Sequence, residues 1–206
     1  NVIQTSDNGN AMDIWEDWVS YTPQEGYYVH PCFINQENGK VIQKIYIGAY
    51  EASLWDTSEG IYTGRQTGID LLIDLEKDKL SSVSNCYLLS SVSQQDYTKL
   101  ILNRGENWSL IDYCYICLDQ MLSLISIASF EPYSTLGIGI VNNSSIFKSG
   151  MTSEWDIYNF KHTDTNTRKS INFFGVENPY GNVWKIISNT KTSNNNINLY
   201  GEDLYL

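Results

Sequence analysis

Positive charge is scarce in this chain of 206 residues: 13 Lys and Arg face 24 Asp and Glu, a net charge of −11. No basic cluster stands out that would track a phosphate backbone against that field, so nucleic acid is excluded as a partner. Long apolar runs are missing too. None approaches the ~20 residues that cross a bilayer, the N-terminus lacks the basic-then-apolar order of a secretion signal, and no lipidation box is visible, so no membrane insertion is expected. Histidine occurs only at His30 and His162, which rules out a three-histidine metal site within one chain. There are four cysteines, and Cys114-x-x-Cys117 lies in the apolar stretch YCYICLDQMLSLI with no second pair to complete a metal site. They read as small buried hydrophobes.

What is present is aromatic surface. Fifteen Tyr and six Trp carry a polar handle on a large apolar body, and such residues often serve surfaces that touch something. The length suits one compact core. AMDIWEDWVSY (11–21) sets Ile14, Trp15 and Trp18 on one helical face and reads as a short helix or docking arm, so residues 1–27 form an N-terminal segment ahead of a domain at 28–206. YYVHPCFI and VIQKIYIGAYEA, joined by NQENGK, predict a hairpin with Asn38-Gly39 at its tip. The span 55–85 looks like a long polar excursion. Ser93 caps a helix carrying Tyr97, Leu100 and Ile101, ended by Gly105. Ser109 and Asp112 form a capping box for a second helix, to about Ser123, that is apolar almost all round and therefore expected to be buried. TLGIGIV predicts a strand closely approached by other backbone, and INLY and EDLYL a final strand pair. A hairpin, two helices and short strands broken by long loops signal an α+β domain.

Several segments together resemble a known group. HPCF (30–33), KIYIGAYEASLW (44–55), LNRGENWSLIDYCYICLDQMLSLISI (102–127), LGIGI (136–140) and FFGVENPYGNVWKII (173–187) resemble, in the same order, the C-type-lectin-like domains of tail and other virion structural proteins of bacteriophages and prophages. The Gly-Asn-Val-Trp element is also similar to the signature of the wider superfamily containing formylglycine-generating enzymes and retroelement variable proteins. The resemblance implies two helices packed on short antiparallel strands with long loops. It casts Gly181, Asn182 and Trp184 as scaffold, Trp184 in the core, with Gly175, Glu177 and Asn178 shaping the preceding turn.

The same resemblance implies a non-catalytic component of the virion, located on the extracellular particle. Its partners would be other virion proteins and a host cell-surface receptor, protein or glycan, and tail adhesins of this kind are commonly trimeric. The catalytic relatives' cysteine pair lies in late loops, whereas Cys114 and Cys117 sit in a helical segment, so no enzyme, cofactor or metal is expected. Glu177-Asn178-Pro179 has the residue types of a calcium-lectin element in a different order and is assigned to turn geometry. The candidate ligand-binding residues are Trp155, Tyr158, Phe160 and His162, aromatics spaced among Asn, Thr and Asp in a polar loop region. Alternatives that keep the fold are a structural attachment piece of tail, baseplate or capsid touching only viral neighbours, and an adhesin domain of a bacterial surface protein.

Overall fold

The computed structural model describes residues 28–35, 37–64, 70–141, 147–154, 170–188 and 190 with side chains, and the backbone alone at 4–5, 12–13, 161–162, 191–193 and 196–199. Helix and antiparallel strand are mixed, as expected of an α+β chain. Two compact units divide it, each drawn from separated segments: 46–112 with 133–188, and 1–45 with 113–132 and 189–206.

The unit of 46–112 and 133–188 holds the core. After two short strands of the other unit, β1 (Gln4–Thr5) and β2 (Met12–Asp13), comes its central strand β3 (Ala52–Asp56), flanked by β4 (Ile61–Thr63) and β5 (Lys79–Ser82) in the order β4-β3-β5. Strand alternation sends Leu54 and its partner Leu80 to one face. Helix α1 (Gln94–Leu102) covers that face with Tyr97, Leu100 and Ile101, spaced as one helical stripe. Ser93 caps it as the sequence predicts, its hydroxyl accepting from the Asp96 N–H at 3.1 Å. The Tyr97 hydroxyl donates to the Leu89 carbonyl. The expected excursion at 55–85 therefore contains two of the three strands of the central sheet. It escapes notice because each is only three or four residues long and β4 is largely exposed.

Asp56 makes the β3–β4 connection. Its carboxylate accepts from the Ser58 hydroxyl at 2.7 Å and from the Ser58 and Glu59 N–H groups, and Gly60 closes the turn at φ +69. The Ser58 hydroxyl bond, with the Glu59 N–H, holds the Asp56 carboxyl below the usual range. Asp78, 2% exposed, binds the Thr57 and Asp74 N–H groups and ties the loop before β5 to that turn.

The second small sheet, order β6-β7-β8, joins β6 (Lys161–His162), β7 (Ile171–Phe173) and β8 (Val176–Glu177). The predicted strand at LGIGI is absent. A single helical turn, α3 (Tyr133–Leu136), leads instead into Gly137 and Gly139 at φ +90 and +73, outside the β region. The close approach is real: a Cβ on Gly139 would lie 3.1 Å from Tyr180.

In the unit of 1–45, 113–132 and 189–206, the predicted hairpin shrinks to one bridge between Ile34 and Val41, with a 3-10 turn at Pro31–Phe33 where the first strand is expected. Pro31 supplies no ladder donor, and the His30 imidazole accepts the Cys32 N–H. The terminal hairpin pairs β9 (Thr190–Ser193) with β10 (Asn196–Leu199); EDLYL lies outside the described residues.

Helix α2 spans Tyr113–Ile127 and corrects two expectations. It begins four residues later than Ser109, because the Ile111 carbonyl already accepts the Ser188 N–H at 2.8 Å, and Leu110 and Ile111 are held outside a helix. None of its residues is buried. Among the described elements it packs on the three-residue turn at Pro31–Phe33. Cys114 and Cys117 are accordingly half-buried while Cys86 is buried, and none of the four cysteines is in a disulfide.

One acid on this helix carries a pH prediction. Partial burial strips water from the Asp119 carboxyl and pushes it up from 3.8 to about 6. A raised acid costs stability that sets in as pH rises through the unfolded value and is complete above about 6. Asp119→Asn should therefore stabilise by up to about 3 kcal/mol at pH 7 and by almost nothing at about pH 2.5, below the unfolded value. Equal melting shifts at both pH values would contradict this.

Candidate functional site

The segment FFGVENPYGNVWKII builds the most elaborate polar structure among the described residues. Phe173 pairs with Val176 across a two-residue turn, Phe174-Gly175, with φ +48 and +82. Both signs positive is the type I′ pattern, and the Asn172 side chain secures it by accepting the Gly175 N–H at 3.0 Å. The tight turn thus falls at Phe174-Gly175, ahead of the Asn178-Pro179 turn expected from the sequence, and Glu177 belongs to a strand.

Glu177 and Asn178 are each 2% exposed. The Glu177 carboxylate accepts the Gly150 N–H at 2.7 Å, the Thr152 N–H at 2.7 Å and the Thr152 hydroxyl at 2.8 Å. Among the described residues no cation pairs with it. Three short donors replace the water such a charge would lose on burial. Its backbone N–H donates to Ala49. Asn178, at φ +49, exchanges two bonds with Ile171: its N–H donates to the carbonyl, and its side-chain oxygen accepts the N–H.

These contacts bracket the stretch that bears Trp155. The turn 150–154 that Glu177 holds leads directly into Trp155, and the far end of that stretch is fixed where Lys161 and His162 pair with Asn172 and Ile171. The candidate residues Trp155, Tyr158 and Phe160 lie outside the described residues, and His162 is described only as backbone in β6.

Gly181 and Asn182 lie close against Ile140. A Cβ on Gly181 would lie 2.8 Å from the Ile140 nitrogen, and the Asn182 N–H donates to the Ile140 carbonyl. The Asn182 amide donates to Glu51 at 2.6 Å, and Lys185 pairs with the other oxygen of Glu51 at 2.5 Å. Trp184 is a correction: it is 100% exposed, not in the core. Asn182 and Lys185 both clasp Glu51, and Ile186 turns to the core cluster, leaving residue 184 to face solvent. Trp184→Ala should accordingly change stability by less than about 0.5 kcal/mol in a urea melt. A loss of roughly 3 kcal/mol would return it to the core.

A second feature is invisible in the linear sequence. Trp55, Tyr62, Lys79, Ser81 and Arg104 line a surface depression of about 240 Å³ on the sheet face opposite Leu54 and Leu80. Strand register assembles it, since Trp55 stands between Tyr62 and Lys79 in one cross-strand row. Among the described residues no group of His, Cys, Asp and Glu is placed to hold a metal ion. No protein-family model, no curated protein and no solved structure significantly matches this chain.

Proposed function

We propose that this chain is a non-catalytic, C-type-lectin-like module of a bacteriophage or prophage particle that attaches the particle to a host cell-surface receptor. The observation that carries the reading is the ordered set of segments at 30–33, 44–55, 102–127, 136–140 and 173–187. The described residues on either side of 155–160 support it. Recognition residues commonly sit on loops held by a rigid scaffold, and both ends of the stretch bearing Trp155, Tyr158, Phe160 and His162 are tied to the β7–β8 hairpin.

Labelled, purified protein incubated with intact cells of candidate host bacteria tests it, with protease-treated and glycan-stripped cells alongside. Saturable binding to particular strains is the expected result, and the treatments divide protein receptors from glycans. Absence of saturable binding on every permissive strain sinks the receptor-binding role and leaves contacts with viral neighbours as the module's work.

A further inference from the structure

The depression on the β4-β3-β5 sheet joins two aromatic rings to two basic side chains. Two of its five lining residues are aromatic: the Trp55 and Tyr62 rings lie 4.7 Å apart and tilted by 57°. Its charge is positive in a chain whose net charge is −11. Among the described residues neither Lys79 nor Arg104 makes an ion pair, although acids outnumber bases 24 to 13.

Arg104 is held in place. One guanidinium nitrogen, Nη1, donates to the Leu80 carbonyl at 2.9 Å and the Ser81 hydroxyl at 2.8 Å, and the group stacks 4.4 Å over the Trp108 ring. Its Nε and Nη2 hydrogens carry no bond to the described residues, and Arg104 lines the depression together with Lys79. A planar guanidinium edge suits a carboxylate, which it can meet with two parallel bonds. Aromatic faces suit the apolar C–H patch of a sugar ring. The volume is below the ~300–1,000 Å³ of sites for drug-sized molecules and fits a single ring.

From this geometry we infer a binding site for an acidic sugar, a pyranose bearing a carboxylate, which stacks on Trp55 and Tyr62 and directs its carboxylate to Arg104 and Lys79. The inference stands apart from the attachment reading: a soluble sugar tests the depression and intact cells test attachment, so either can fail alone.

The test is an amide and indole NMR titration of the full chain with sodium glucuronate and sodium N-acetylneuraminate, against glucose, N-acetylglucosamine, sodium acetate and tetraglutamate. At least one acidic sugar should saturate shifts at the Trp55 indole and the Tyr62 and Lys79 amides with a Kd of about 1 mM, the range open to a ligand of so few atoms. Lys79→Gln, which removes no hydrogen bond within the described fold, should raise that Kd about tenfold with an unchanged melting temperature. Tyr62→Ala should weaken binding of whichever acidic sugar saturates.

Four results would overturn the site: no saturable shift up to ~50 mM of either acidic sugar; equal affinity for the neutral sugars or for acetate; tighter binding of tetraglutamate; or an unchanged Kd in Lys79→Gln.

Discussion

Glu177→Ala should lower the stability of the domain by roughly 3–5 kcal/mol, because it strips three buried donors of their acceptor at once. The Gly150 and Thr152 N–H groups and the Thr152 hydroxyl all converge on this carboxylate, and it is 2% exposed, so water cannot readily replace it. Removing one acceptor from a buried donor costs about 1–3 kcal/mol, and partial relaxation keeps the total below three full penalties. In a chain of this size the melting temperature should fall by about 10 °C. Glu177→Gln should fall between wild type and Ala, since the amide keeps one accepting oxygen and presents an NH₂ where a second is needed. Amide exchange gives a local readout: protection at Gly150 and Thr152 should drop most. A loss below about 1 kcal/mol, with protection unchanged at those amides, would show that the hub does not hold the turn 150–154.

Gly64→Ala should cost about 3 kcal/mol or more for a steric reason. A Cβ there would stand 1.9 Å from the Tyr87 carbonyl oxygen, 2.3 Å from its carbon and 2.7 Å from the Leu88 oxygen. All three are backbone atoms, and the segment that carries them is pinned: Leu88 and Leu89 are 1% and 4% exposed, and the Leu89 N–H donates to Ala52 on the central strand. The clash cannot be relieved by a rotamer. Either β4 separates from β3 or the 86–89 segment leaves the core. Urea unfolding checks this, and a variant within about 0.5 kcal/mol of wild type would place the two backbones farther apart than they are here. Gly39, where an added Cβ meets nothing within 4 Å, makes a control at an exposed turn, with only its φ of +66 to oppose alanine.

The α1 helix was legible because its signals are local. Ser93 at the cap and apolar residues three and four apart act within a single turn, and both appear where the sequence puts them. Helix α2 shows the limit of the same reasoning. Its apolar circumference announces a helix correctly, but burial depends on what packs against it, and Ile111 is drawn away to Ser188, 77 residues along the chain. The β4-β3-β5 sheet was missed for a related reason: strands of three to five residues give too few alternations to register, and their pairing spans loops whose length no local pattern reports.

By itself the sequence determined the α+β character and the capped helix α1, because each follows from neighbours along the chain. Tertiary structure alone decided that Trp184 faces solvent, that Glu177 is the buried acceptor for a turn some 25 residues earlier, and that Trp55, Tyr62, Lys79 and Arg104 share one depression. Burial and convergence are properties of distant segments brought together, and a tryptophan, a glutamate or a lysine has the same local chemistry wherever the fold leaves it.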